Sequence, residues 1–137
     1  DGRIGKAQVH GVEPDKLPAD WNVWPAKERL MENMAESAKA TIDFFGKHIV
    51  YINVLRRMSV DCDCAGTGAA EPTIPDIGIL ASTDILAIDQ ASVDLVYAQT
   101  KNHDLMERME SRHGLHQLTA MRELKMGNDK YELIEVE

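Results

Sequence analysis

The sequence predicts an α/β protein, a layered fold in which a small, mostly buried sheet is flanked by helices. Three observations predict this class. An amphipathic helical segment precedes an apolar, β-branched run, a second such run follows a loop, and capping residues then open another helix. With 137 residues, 44% of them apolar and 28% charged, the chain has the size and composition of one soluble domain.

The first two segments differ in character. Residues 1–25 are predicted to form an irregular arm lying on the domain, because the stretch is rich in proline turns; residues 6–12 are its one candidate edge strand. A single α/β domain then spans residues 26–137. The chain opens on Asp1 instead of Met, so we expect it to be a fragment of a larger protein. Apolar side chains at helical spacing predict a helix over residues 26–45, with Gly46 as its stop.

The strands and later helices follow from shorter patterns. Residues 48–55 are β-branched and aromatic and are apolar on both faces, which predicts a strand buried on both sides. Residues 77–81 predict a second buried strand, and the intervening loop carries both cysteines. The remaining predicted elements are a helix from residue 84 to about residue 98, helices over 102–112 and 115–125, and a final strand over 131–136.

Charge is distributed unevenly. The net charge of −8 repels phosphate backbones and argues against a nucleic-acid or anionic-membrane partner. No apolar run approaches the roughly 20 residues that cross a bilayer, and no signal segment opens the chain, so a cytoplasmic protein is expected. Residues 58–100 contain seven acids and no Lys, Arg or His. These acids either cap loops and helices or converge on a cation.

The stretch Asp61-Cys62-Asp63-Cys64 contains both cysteines of the chain. As nucleophiles the thiols are poorly placed, because neighbouring carboxylates raise the thiol pKa. As metal ligands they are well placed, because a divalent cation deprotonates thiols and neutralises nearby carboxylates. If the cysteines are instead small apolar side chains packed in the interior, they need no functional explanation. Metal binding and simple packing therefore remain as alternatives.

If a metal binds, thiolates favour zinc or iron over calcium or magnesium. Cys62 and Cys64 supply half of a four-coordinate site. The other donors would come from Asp61, Asp63 or Asp76, from a histidine, from a second chain in a homodimer, or from a region outside this sequence. Two cysteines cannot by themselves hold a four-iron cluster.

Several other polar residues have two interpretations. Asp84 is placed as the N-cap of the helix that follows the second strand, an interaction worth about 1 kcal/mol. Asp89 lies among apolar residues of that helix, so it marks either the edge of the helix face or a buried acid that needs a partner. His113 and His116 have a spacing that suits one helical face, but Gly114 between them predicts that the helix ends there.

Five segments form an ordered pattern along the chain: Met34-Ala35-Glu36, residues 51–55, Asp61-Cys62-Asp63-Cys64, residues 75–82 with Asp84, Ala87, Ile88 and Asp89, and Tyr131-Glu132-Leu133-Ile134. This pattern resembles the C-terminal region of the domain-of-unknown-function 362 (DUF362) family of iron-sulfur-associated, ferredoxin-linked proteins. The chain differs from the family in having Ile85 where proline is usual. Residues 125–128 match a glycine-richer family turn only loosely.

The resemblance implies that a ferredoxin-type module with two four-iron clusters precedes such a region. We therefore expect 4Fe-4S clusters only in a partner or in a missing N-terminal region. The expected function is a metal-binding domain of an iron-sulfur-associated protein in an electron-transfer or redox context, with its reaction undefined. The alternative is a non-catalytic structural or docking module that packs against the ferredoxin module or the missing N-terminal half. A third hypothesis, a magnesium hydrolase using Asp84 and Asp89, requires a metal site without the cysteines.

Overall fold

The computed structural model describes residues 27–61, 68–99 and 103–136. Over these ranges the elements are, in order, α1 (Lys27–Phe45), β1 (Tyr51–Leu55), β2 (Gly78–Ser82), α2 (Ile85–Tyr97), α3 (Asp104–Ser111) and α4 (His116–Glu123). The α/β class is confirmed. The predicted arm of residues 1–25 lies outside the described residues, as does its edge strand. Within the described part of the chain, no helix is long and apolar enough to cross a bilayer.

Helix α1 follows its predicted bounds closely. Its most deeply buried side chains are Met31 and Ala35, and Ala38 and Ile42 pack beside them against the core. The helix ends where glycine was expected to stop it. Gly46 has a φ of 55°, a left-handed conformation that glycine adopts without steric cost, and its N–H donates to the Ile42 carbonyl at 2.7 Å.

The two strands pair antiparallel, with Tyr51 opposite Ser82 and Leu55 opposite Gly78. Helix α2 packs against both strands and covers one face of the sheet. The connection between β1 and β2 contains no α-helix among its described residues. An antiparallel pair needs no helical crossover, in contrast to a parallel one, which agrees with the loop predicted between the two strands.

The prediction that the strands are buried on both sides is wrong for the outer face of the sheet. Burial alternates along both strands. On the outer face Ile52 is 64% exposed, Val54 55% and Ile79 61%. The described residues supply one covering layer, α2, so only the inner face is packed. The outer face is apolar and exposed because no second layer of described residues covers it.

The core lies between the helices and not at the sheet. Its buried cluster consists of Ala35, Leu86, Leu118, Ala120, Met121 and Met126. Helix α2 contacts the sheet on one side and α4 on the other, and α4 packs against α1. The order of layers is therefore sheet, α2, α4 and α1. Leu86 is fully buried near the start of α2, which fixes that end of the helix against the core.

The helices from α2 onward are confirmed within one or two residues of their predicted bounds. The predicted final strand is wrong. Residues 131–136 have no regular secondary structure. The Tyr131 hydroxyl donates to Asp94 Oδ2 on α2 at 2.7 Å, so this segment begins against a helix, and neither of the two described strands pairs with it.

Candidate functional site

The predicted metal site is described only in part. Cys62, Asp63 and Cys64 lie outside the described residues. Asp61 and Asp76 are described: Asp61 directly precedes the cysteines, and Asp76 lies at the β2 end of the connection between β1 and β2. Their surroundings therefore define how the cysteine loop is attached to the fold.

Asp61 anchors the start of the loop. Its carboxylate forms an ion pair with the guanidinium of Arg108 on α3. Its backbone N–H donates to Ser59 Oγ at 3.2 Å, and the Ser59 hydroxyl donates to the Asp61 carbonyl at 3.1 Å. The Val60 N–H donates to the Ala70 carbonyl at 3.1 Å. This backbone hydrogen bond closes residues 61–69 into a loop with its two ends held together.

The far side of the loop is tied to the same helix. The Thr73 N–H donates to Asp104 Oδ2 at 2.9 Å, and the Thr73 hydroxyl donates to Asp104 Oδ1 at 3.2 Å. Burial raises the pKa of Asp104, but the Thr73 and Leu105 N–H donors outweigh it, so the net pKa is lowered. The segment on either side of the cysteines is thus fixed to α3 at Asp104 and at Arg108.

Asp76 closes the connection at the end of the sheet. It accepts the Arg57 N–H at 2.7 Å and lies 3.4 Å from Arg56 Nε. The Arg57 N–H, followed by the Arg56 guanidinium, holds the pKa of the Asp76 carboxyl below its usual value, although partial burial opposes this. A cleft of about 240 Å³ adjoins it, lined by Arg57, Met58, Glu71, Pro72, Ile74 and Asp76.

The arginine contacts of Asp61 and Asp76 make these two carboxylates less suitable as metal ligands. Among residues 27–61, 68–99 and 103–136, no group of three or more His, Cys, Asp or Glu side chains could hold a metal ion. Asp61 and Asp76 each face arginine, and an arginine competes with a cation for the same carboxylate. Both aspartates are therefore suited to positioning the loop. Coordination by this region depends on the residues between Asp61 and Gly68.

A second polar cluster lies at the start of α2. Asp84 is the N-cap, as predicted, and its Oδ1 accepts the Ala87 N–H at 3.0 Å. Its Oδ2 accepts both the Asn128 N–H at 2.9 Å and the Asn128 Nδ2 at 3.1 Å. Gly127 lies so close that a Cβ there would stand 2.6 Å from Asp84 Cγ. The carboxylate thus joins the helix start to the segment after α4, and we refer to Asp84, Gly127 and Asn128 as the Asp84 clasp.

A third cluster lies beneath the sheet. Asn53 Nδ2 donates to Asp89 Oδ1 and to Ser92 Oγ, both at 2.9 Å. The Ser92 hydroxyl donates to the Ile88 carbonyl at 2.7 Å. Burial raises the pKa of Asp89, and the Asn53 hydrogen bond only partly offsets this. Asp89 is therefore a partly buried acid with a neutral partner, and its carboxyl keeps its proton to higher pH than an exposed aspartate does.

The two histidines serve packing between helices. Helix α3 ends before Gly114, as predicted. His113 Nδ1 lies 3.2 Å from Glu28 Oε1, and His116 Nε2 lies 3.1 Å from Glu32 Oε1. The His116 hydrogen bond is the main reason that the pKa of Glu32 is lowered. These two pairs join α1 to the start of α4 and the turn before it.

Sequence reasoning missed the partners in these clusters. The position of Asn53 could have predicted a polar partner, because an amide in the middle of an apolar strand needs one. The pair Gly127-Asn128 predicts a turn, but it does not predict which residue the turn contacts. Nothing in the sequence connects Arg108 to Asp61, because an exposed helical arginine has many available partners.

Comparisons with known proteins give one finding. A family model described as "Domain of unknown function (DUF362)" matches residues 2–94. The match includes the cysteine loop, the Asp84 N-cap and Asp89, and it ends before α3. No curated protein and no solved structure matches the chain.

Proposed function

The chain belongs to the DUF362 family, and from this premise we propose that it is a metal-binding domain in which the thiolates of Cys62 and Cys64 hold zinc or iron. The observation that carries the proposal is the Val60 to Ala70 hydrogen bond, which closes the loop containing both thiols. A short closed loop limits the separation of its side chains before any ion binds, which lowers the entropy cost of coordination.

The aspartates have different roles in this proposal. Asp63 lies between the thiols in the sequence and is the nearest further donor. Asp61 holds the start of the loop through Arg108, and Asp76 holds the β2 end of the connection through the Arg57 N–H and Arg56. A fourth donor comes from outside the loop. A bound cation would also offset the repulsion between thiolate and carboxylate, which otherwise raises the thiol pKa.

The cellular context is part of the same proposal. The domain works in the cytoplasm beside a ferredoxin-type module, in an electron-transfer or redox setting. Any 4Fe-4S clusters belong to that module, because two cysteines cannot hold one. When bound, the metal at Cys62 and Cys64 would stabilise the loop or relay charge. The proposal assigns no catalytic step to this chain.

Metal content tests the proposal directly. Elemental analysis of the chain, purified without chelator, should give about one equivalent of zinc or iron, and Cys62→Ser/Cys64→Ser should remove it. Cobalt(II) added to the apoprotein should give a thiolate charge-transfer band, because both thiols of the chain lie in this loop. Metal-free protein that also fails to bind cobalt would overturn the proposal.

Two further variants separate ligands from positioning residues. Asp61→Asn and Asp76→Asn keep the side-chain shape and remove the charge that faces arginine. We expect both variants to melt at lower temperature and still bind one metal equivalent. Loss of the metal in either variant, with the fold retained, would make that aspartate a ligand.

One observation favours the alternative, a structural or docking module. The outer face of the sheet exposes Ile52, Val54 and Ile79, and apolar patches of this kind mark interaction sites. Under this alternative the protein is metal-free, and Cys62→Ser/Cys64→Ser leaves the melting temperature unchanged.

A further inference from the structure

Helix α3 depends on contacts outside the hydrophobic core. It has eight residues, and none of its side chains is buried. Its N-cap residue, His103, makes no side-chain hydrogen bond to the start of the helix. The described elements that pack closely on one another do not include α3. A helix of this length is marginally stable on its own in water, so its polar contacts with the rest of the chain decide how well it is held.

Two of these contacts bind α3 to both sides of the cysteine loop. Asp104 and Arg108 are four residues apart and therefore lie on one face of the helix. The Arg108 guanidinium pairs with Asp61, which directly precedes Cys62. Asp104 accepts the Thr73 N–H at 2.9 Å, on the side where the chain has left the loop. One face of α3 therefore joins the segment that enters the loop to the segment that follows it.

A third contact of α3 leads to α2. The Tyr97 hydroxyl donates to Glu110 at 3.3 Å. Tyr97 is the last residue of α2, so this contact joins two helices that are consecutive in the chain and does not involve the loop. The family match ends at residue 94 and leaves α3 out, although it includes Asp61 and Thr73. The attachment of the loop to α3 therefore lies outside the matched region.

We propose that α3 is a brace whose stability is coupled to metal binding at the cysteine loop, an inference that rests on the function proposed above. Asp104 and Arg108 are positioning residues in this brace, because they hold the segments beside the loop and do not donate to the ion. Asp61 adjoins a proposed thiolate ligand, so an ion bound there fixes one attachment point of α3. Coupling between two events is reciprocal. The metal stabilises α3 by the same factor by which α3 tightens metal binding.

Amide hydrogen exchange of residues 104–111 in the complete chain, with and without cobalt(II), tests the coupling. Cobalt should slow exchange in the parent chain about fivefold, the size expected for partly exposed polar contacts. The effect should be lost in Asp104→Ala/Arg108→Ala. The matched control is Glu107→Ala/Arg112→Ala, which removes one acid from the first turn and one arginine from the C-cap, both at exposed positions. The control should keep the cobalt effect.

The affinity for cobalt gives the reciprocal measurement. Asp104→Ala/Arg108→Ala should raise the cobalt dissociation constant about fivefold, whereas the control should leave it unchanged. Reversal of the ion pair gives a rescue that a general loss of stability would not show. Arg108→Asp should speed exchange of residues 104–111 in the cobalt-bound chain. Addition of Asp61→Arg to Arg108→Asp restores an ion pair of opposite polarity and should slow that exchange again.

The outcomes separate the brace from the proposed function. A parent chain that binds no cobalt overturns both. A parent chain that binds cobalt without slowing exchange in α3 overturns the brace alone, and so does a double-alanine variant that binds cobalt as tightly as its control. Failure of the reversed ion pair to restore protection of residues 104–111 would also overturn it, because Asp61 and Arg108 would not be the link between the loop and the helix.

Discussion

The Asp84 clasp gives the sharpest expectation for stability. Gly127→Ala places a Cβ 2.6 Å from Asp84 Cγ and 2.9 Å from Asp84 Oδ2. No Cβ tolerates such distances, so the carboxylate or the chain after α4 must move. Either movement breaks the N-cap bond to Ala87 or the two bonds from Asn128.

The magnitude follows from the lost contacts. The N-cap contributes about 1 kcal/mol, and hydrogen bonds to a charged group contribute about 1.5–3 kcal/mol each when they are well formed. Because Asn128 is exposed, we take the low end for its contacts. Gly127→Ala should therefore lower the free energy of unfolding by about 1–3 kcal/mol more than the backbone cost alone, the lower figure if the N-cap bond is lost and the higher if both Asn128 bonds are lost.

Gly78→Ala measures that backbone cost. Gly78 has a φ of 158°, nearly the same as the 155° of Gly127, and a Cβ there would meet nothing within 4 Å. Urea unfolding followed by circular dichroism gives the free energy of unfolding of each variant. The difference between the free energies of unfolding lost in Gly127→Ala and in Gly78→Ala gives the cost of the contact between the new Cβ and Asp84.

A double-mutant cycle supplies the refutation. In an Asp84→Ala background no carboxylate stands beside the new methyl group, so Gly127→Ala should cost about as much as Gly78→Ala. Two results would refute this reasoning. In one, Gly127→Ala lowers the free energy of unfolding no more than Gly78→Ala does when Asp84 is present. In the other, the larger loss for Gly127→Ala persists when Asp84 is absent.

Two expectations concern pH. The pKa of Asp89 is raised in the folded state. The protonated carboxyl therefore stabilises the fold fully at pH below the unfolded-state pKa of about 3.8, and this stabilisation is lost as pH rises through the folded-state pKa. Asp89→Asn should therefore gain stability relative to the parent, in urea titrations, as pH rises above the ordinary aspartate pKa of 3.8, and a difference in stability that does not change with pH would contradict the assignment. The pKa of Glu32 is lowered, so His116→Asn should move the carboxyl titration midpoint of Glu32, followed by NMR, up towards that of an ordinary glutamate. A midpoint that does not move would show that His116 is not the cause.

The sequence predicted what depends on neighbours along the chain. The length of α1, its stop at Gly46 and the N-cap at Asp84 all follow from residues within one or two helical turns. The alternative of a buried acid with a partner at Asp89 was also available, because an acid surrounded by apolar residues in a helix must either reach solvent or find a polar partner.

What the sequence could not predict depends on distant pairing. Asn53 and Asp89 are 36 positions apart, Asp84 and Asn128 are 44 apart, and His113 and Glu28 are 85 apart. Exposed charges have many possible partners of similar energy, so spacing alone does not select one. The prediction of a final strand over residues 131–136 failed for a related reason, because β-branched composition indicates a segment able to pair but does not provide a neighbour.

The Glu28 and Glu32 pairs with His113 and His116 join the first described helix to the region of the last. Contacts between residues so far apart in sequence form late, since the chain between them must close first. On the ribosome, α1 emerges roughly 70 residues before α4, and at about 5–20 residues per second its apolar stripe waits for several seconds without its packing partner. During synthesis α1 therefore exposes its apolar stripe for longer than the later described helices do, although Met31 and Ala35 on that stripe are buried once folding is complete.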